Sequence, residues 1–332
     1  MLFLYGAYGT GNLGDDAILK AALEIHGRNN CKVVSYGSPF LRQEVDYIDH
    51  FAFIDNPKEF LSPGDTLIFA GGGLFWTASH AAVMRRCAES AREIGCDVQV
   101  ERLGAQGVHA AIDDAKILFS LCSRISVRDH FSVDLLKQLN VTDRAIYEPD
   151  FVLELRDKPA KKFNKERIVV GISHSAVPFY YDEAHRRKTL HIYNLIVERC
   201  FGYCDFVYIP HTRHFNVIAQ NDVIYGEYFW QASRGRIQSL PFPSTVEELL
   251  EYYAGVDVVF AWRYHALVLA KVMGAAAAFL GQPGGHKYSA FAKEHQLPQI
   301  NFDLEPIEVA ASAVRLINRV SKKREQVGVT AS

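Results

Sequence analysis

The 332-residue chain is 49% hydrophobic and sets 36 Lys and Arg against 38 Asp and Glu, a formal charge of -2. That length suits two domains with separate cores, and the near-neutral balance excludes a global attraction to nucleic acid or to an anionic membrane, leaving only local basic patches. The six cysteines lack C-x-x-C spacing and no stretch reaches the apolar length of a membrane span, so structural thiols and a cytoplasmic protein are expected, with contact at the inner membrane face left open.

Apolar strand runs alternate with helical patterns from the first residue, which predicts a layered α/β architecture. Strands are expected near 1–5, 31–36, 66–70, 97–103 and 123–127, with a short one near 145–147. Helices are expected near 15–27, 77–95, 110–121 and 130–138. The first strand runs into YGAYGTGNLGDDAILKAA, where Gly9, Gly11 and Gly14 spell G-x-G-x-x-G. A dinucleotide site needs a carboxylate about 20 residues further on. Here the second strand ends at Ser35 and Tyr36 with none. Asp15 and Asp16 also follow the third glycine, where they compete with a phosphate for the helix N-terminus. No Gly-Lys-Ser or Gly-Lys-Thr follows, which excludes a Walker A loop. The glycines therefore mark tight backbone geometry, with Asn12, Asp15 and Asp16 as caps and acceptors.

A second turn, FAGGGLFW at 69–76, lets backbone approach a ligand at Gly72 and Gly73 and offers N–H groups to an anion. SVRDHFS puts Arg128 at a strand end and Asp129 at the cap of the next helix, and EPDF places Asp150 close to the domain boundary. The polar, basic stretch from Arg156 to Arg167 is the best linker, most simply a solvated one. It divides residues 1–155 from 168–325.

Beyond it the alternation repeats: strands at 168–172, 205–209, 236–239, 256–261 and 275–280, helices at 182–202, 213–233, 244–254, 264–273 and 305–320. Two Rossmann-like α/β/α domains facing a cleft are the expected fold, with ligands at the carboxyl ends of the strands. His174 and Ser175 follow one strand, but no G-x-S-x-G elbow supports hydrolase chemistry. His211, Arg213 and His214 follow another, without a third metal ligand, so no metal is expected. Glu247 and Glu248 start the 244–254 helix, where they read as first-turn charges. The most informative stretch is VFAWRYHALVLAKVMG at 259–274. Arg263 at this strand-to-helix junction suits a phosphate or carboxylate, and His265 changes protonation near neutrality. Lys287, after the third glycine turn GQPGGHK, brings a second cation.

Taken in order, GNLGDDAIL (11–19), GGGLF (71–75), SVRD (126–129), EPD (148–150), IPH (209–211) and RYHALVLA (263–270), with Lys287 and Phe291, resemble the polysaccharide pyruvyl transferase family over residues 5–295. The resemblance implies a GT-B-like fold and transfer of the enolpyruvyl unit of phosphoenolpyruvate to a sugar as a cyclic ketal. It implies that Arg263 and His265 belong to the donor site, with Arg128 and Lys287 as further holds. The acceptor would be a glycan precursor, lipid-linked or nucleotide-linked, lying on Gly11, Asn12, Asp15, Gly72, Gly73, Asp150 and His211. Phosphoenolpyruvate is a co-substrate, and no cofactor is expected. Asp16, Asp150 and His211 remain open as the group that deprotonates the acceptor. Ala261 and Trp262 depart from the family's pattern before the arginine. A GT-B-type glycosyltransferase using a nucleotide sugar, and a non-catalytic carbohydrate-binding or scaffold protein, are the alternatives. A homo-oligomer is left open.

Overall fold

The computed structural model describes residues 1–75, 77–162, 166–174, 181–214, 217–282 and 287–330. Ser175 and residues 283–286 of the third glycine turn lie outside them. The chain divides into two units, Met1–Asp157 and Lys158–Ser332.

The first unit is built on a parallel sheet. Its described strands are β1 (Leu2–Tyr5), β2 (Cys31–Ser35), β3 (Tyr47–Asp49), β4 (Thr66–Ala70), β5 (Asp97–Leu103), β6 (Arg124–Val127) and β7 (Ile146–Tyr147), in the order β3-β2-β1-β4-β5-β6-β7. β1 and β4 are apolar with almost every position buried, the pattern of strands covered on both faces. The helices that cover them are α1 (Leu13–His26), α2 (His50–Asp55), α3 (Ala78–Ile94), α4 (Ile112–Leu121) and α5 (His130–Gln138). α1 starts two residues before the expected bound because the Asn12 side chain accepts from Gly14 N and caps it there. β3 and α2 were invisible in the sequence pattern. A three-residue edge strand reading Tyr-Ile-Asp has too little periodicity to show.

The second unit repeats the plan with β8 (Ile168–Ser173), β9 (Cys204–Tyr208), β10 (Ile237–Ser239), β11 (Val258–Ala261), β12 (Ala276–Gly281) and β13 (Gln299–Asn301), ordered β10-β9-β8-β11-β12-β13 and again parallel. Its helices are α6 (Glu183–Cys200), α7 (Asp222–Ala232), α8 (Val246–Ala254), α9 (Tyr264–Val272), α10 (Lys287–Glu294) and α11 (Pro306–Thr330). The helix expected over 213–233 is a correction. Arg213 pairs with Asn221 in an antiparallel bridge, and Asn221 then caps α7 by accepting from Val223 N at 3.1 Å. A side chain that bonds the backbone locally stops the helix from extending backwards.

The basic stretch also differs from a solvated linker. Lys162 N donates to Ala254 O at 2.9 Å, Lys158 Nζ reaches Val272 O at 3.1 Å, and Lys161 Nζ sits on the carbonyls of Tyr253 and Val256. Cations at the carbonyl ends of α8 and α9 satisfy acceptors that the helices leave open. Beside Lys161, Arg324 of α11 binds Asp257 Oδ2 at 3.0 Å and Arg167 O at 3.0 Å. No helix among the described residues is long and apolar enough to cross a membrane.

Candidate functional site

All-parallel sheets gather the carboxyl ends of their strands, and the turns that follow them, at one edge. In the first unit that edge is closed by the protein's own groups. The turn after β1 wraps around Asp16, which is fully buried: one carboxylate oxygen accepts from Gly9 N at 2.8 Å and the other from Phe40 N at 3.0 Å. Burial pushes this carboxyl up to about 7, against the pull of those two N–H groups. Gly9 has φ +68°, and a Cβ there would come within 2.2 Å of Gly37 O. The G-x-G-x-x-G turn is thus a tight fold around an internal carboxylate. Gly11 is buried in the same turn, and Asn12 Nδ2 holds Asp15 at 2.6 Å.

The triple-glycine turn after β4 packs just as closely. A Cβ on Gly71 would meet Ile18 Cγ2 at 2.4 Å, while Gly72 lies beside Asp15 and Gly73 beside Gln106. After β6, Arg128 is 1% exposed, 3.2 Å from Asp150 Oδ2 and 3.7 Å from Asp129 Oδ2. Asp150 also accepts from Val152 N at 3.0 Å. The structure therefore places Arg128 and Asp150, expected as donor and acceptor contacts, inside a buried ion cluster. Two carboxylates already neutralise this guanidinium.

The second unit presents a different junction. β11 ends in Ala261, and Arg263 stands at the N-cap of α9 with extended backbone. Its guanidinium pairs with Asp222 Oδ1 through one Nη, while its side chain keeps 17% of its surface exposed and Asp222 none. The other Asp222 oxygen accepts from His211 N and Thr212 N, both at 2.9 Å. Arg263 Nε has no hydrogen-bond partner among the described residues. Burial opposes the Arg263 charge, but Asp222 holds its pKa above the ordinary value. His211 is 1% exposed and 2.6 Å from Tyr253 OH through Nε2. Burial, with Arg263 adding to it, keeps His211 well below the usual histidine range, so the imidazole is neutral. The arrangement is a partly exposed cation with an unpaired, buried Nε, oriented by a buried carboxylate beside a neutral histidine.

His265 is half-buried on the first turn of α9, its ring 5.2 Å from that of Tyr264. Lys287 is half-buried at the start of α10, with Nζ 5.3 Å above the Tyr288 ring. Trp262 packs against His174 and His185 at centroid distances of 5.0 and 4.8 Å, so the departure from the family's pattern falls on aromatic packing beside Arg263. Glu248 accepts from Ser244 N at 2.7 Å, Ser244 Oγ at 2.8 Å and Tyr252 OH at 3.0 Å, which commits it to capping α8. Sequence reasoning missed Asp222 and Tyr253. The pair Asn221-Asp222 is itself a helix-start signal, hidden inside the longer helix expected there.

The family model for polysaccharide pyruvyl transferase matches residues 12–281. No curated protein sequence matches the chain. Among solved structures, the UDP-GlcNAc 2-epimerase from Methanocaldococcus jannaschii is similar with a TM-score of 0.58 at 8% identity, over 95% of this chain and 92% of that one. The alpha,alpha-trehalose-phosphate synthase (UDP-forming) from Burkholderia vietnamiensis gives 0.56 at 9%, over 99% and 95%. Sucrose-phosphate synthase from Thermosynechococcus elongatus gives 0.56 at 7%, over 98% and 90%. At these identities the likeness shows the fold, two Rossmann-like α/β/α units of the GT-B-like type.

Proposed function

The chain belongs to the polysaccharide pyruvyl transferase family, and we propose that it moves the enolpyruvyl unit of phosphoenolpyruvate onto two hydroxyls of a sugar, closing a cyclic ketal and releasing phosphate. The observation that carries this reading is Arg263, a partly exposed cation with one Nη fixed by Asp222 and a buried Nε that no described residue pairs. Phosphoenolpyruvate is a small dianionic group bearer, and a preoriented guanidinium fork matches phosphate or carboxylate. Lys287 supplies a second cation in the same unit.

In the proposed sequence His265 delivers a proton to C3 of phosphoenolpyruvate, leaving a cationic C2 that the first sugar hydroxyl attacks. The second hydroxyl then displaces phosphate from the same carbon. Two hydroxyl protons leave the sugar; one equivalent balances the proton given to C3 and the other departs with phosphate. Arg263 neutralises charge on the leaving phosphate. Asp222 keeps the guanidinium in place, and neutral His211, buried with Tyr253 beside it, adds no competing charge. Asp16 and Asp150, buried and bonded to backbone or Arg128, are assigned to shaping the first unit, and its glycine turns, with Asn12 and Asp15, to the acceptor.

The second reading is a glycosyltransferase using a nucleotide sugar, prompted by the UDP-linked names of two of the fold neighbours. That reading calls for a carboxylate to clamp ribose in the second unit, and Glu248 is already held by Ser244 and Tyr252. Incubation of sugar acceptors with phosphoenolpyruvate or with UDP-sugars, read by acceptor mass, separates the two. A pyruvyl ketal formed from phosphoenolpyruvate is the expected product; a hexose added from a UDP-sugar would replace this reading with the second. Wild-type phosphate release by His265→Ala would remove His265 from the general-acid role.

A further inference from the structure

At the carboxyl edge of the first sheet lies a slot that the donor chemistry does not use. Tyr5, the last residue of β1, forms its floor, and Tyr36, Leu74, His80 and Met84 line it. The space between atoms, mouth included, is about 230 Å³, and it narrows to room for about one water-sized group. Tyr5 is 4% exposed, its ring packed edge-on against Phe69 with centroids 5.2 Å apart.

The walls are aromatic and uncharged. Tyr36 stacks on His50 at 3.8 Å and 19°, and Tyr5 packs on the same imidazole at 5.3 Å. Burial, with His80 adding to it, lowers His50 to about 4, and burial lowers His80 as well, so neither is a cation near neutrality. Thr77 Oγ1 holds His80 Nδ1 at 2.9 Å. Phe51, 63% exposed, meets the Tyr36 ring edge to face and extends the aromatic surface outside the slot. An aromatic face with a hydroxyl at the floor and no Asp, Glu, Lys or Arg among the described lining residues suits a group that is apolar on one side and hydroxylated on the other. An anion placed here would lose its hydration with no cation to meet it.

We propose that this slot seats the uncharged exocyclic group of a neutral hexose, with the acceptor's ring lying across Tyr36 and a hydroxyl bonded to Tyr5, and that it rejects uronic acids. The proposal rests on the reading of the protein as a sugar-modifying transferase and names which sugars it accepts. The test is saturation-transfer NMR titration of neutral methyl hexosides, the matching methyl uronides and uridine, with no phosphoenolpyruvate present. Leaving the donor out keeps this result separate from any failure of the donor assignment.

Neutral hexosides are expected to bind, with the uronides weaker by about tenfold or more. Tyr36→Leu should weaken hexoside binding about tenfold, and Tyr5→Phe about fivefold. Tyr5→Phe keeps the ring that packs on His50 and Phe69, so the fold stands and the test stays readable. Equal binding of hexosides and uronides, no hexoside binding at all, unchanged affinity in both variants, or uridine binding that Tyr36→Leu abolishes would each overturn the proposal.

Discussion

The turn after β1 in the first unit and the turn after β11 in the second both follow the carboxyl end of a strand in a parallel sheet, yet they treat charge in opposite ways. In the first, backbone N–H groups that a phosphate would use are taken by Asp16, and the unit's buried cation, Arg128, is 1% exposed between two carboxylates. In the second, Arg263 meets a single carboxylate, keeps 17% of its side chain exposed and has an unused Nε. Helix N-termini and arginines are anion sites only while their donors are uncommitted. The proposed anionic donor is matched to the second unit on this contrast, and uncharged partners to the first.

That contrast is open to direct attack. The largest effect is expected for Arg128→Met, which leaves Asp129 and Asp150 buried without their cation and should cost about 3–5 kcal/mol of stability. Chemical denaturation measures it, and the folded fraction should keep an unchanged KM for phosphoenolpyruvate. Arg263→Met is expected to lower phosphate release by about 10²–10³-fold in the folded fraction, with a loss of stability as well because buried Asp222 loses its cation. If the two variants exchanged phenotypes, the contrast would be inverted. Asp222→Asn keeps an acceptor for His211 and Thr212 but loses the charge on Arg263, and about a tenfold fall in kcat/KM is expected. The smallest effect concerns Asp16. Its carboxyl is raised from 3.8 to about 7 by burial, so the folded state holds the proton more tightly and stability falls as pH rises from about 4 to about 7. Asp16→Asn should flatten that slope in denaturation midpoints taken at pH 5 and pH 8.

The long, apolar strands and the capped helices were legible because their periodicity and their caps are local. The same locality explains the misses. β3 and β13 are three-residue edge strands, too short for a pattern. Residues 213–221 are apolar and polar in a helical rhythm, but the Arg213–Asn221 bridge and the Asn221 cap decide otherwise. At the site, Arg263 stood out because a charged residue interrupts an apolar strand and helix. Asp222, 41 residues away in sequence, did not, since only the fold brings it to Arg263. Arg128, like Arg263, follows a strand end in the sequence; its enclosure between Asp129 and Asp150 is a property of packing that the sequence does not display.

The central claim is tested most directly by calorimetric binding of phosphoenolpyruvate to the wild-type protein and to Arg263→Met. Saturable binding by the wild type, weakened at least about tenfold by the substitution, is the predicted result. Equal affinity in the two proteins would contradict the assignment of Arg263 as the donor's anion site.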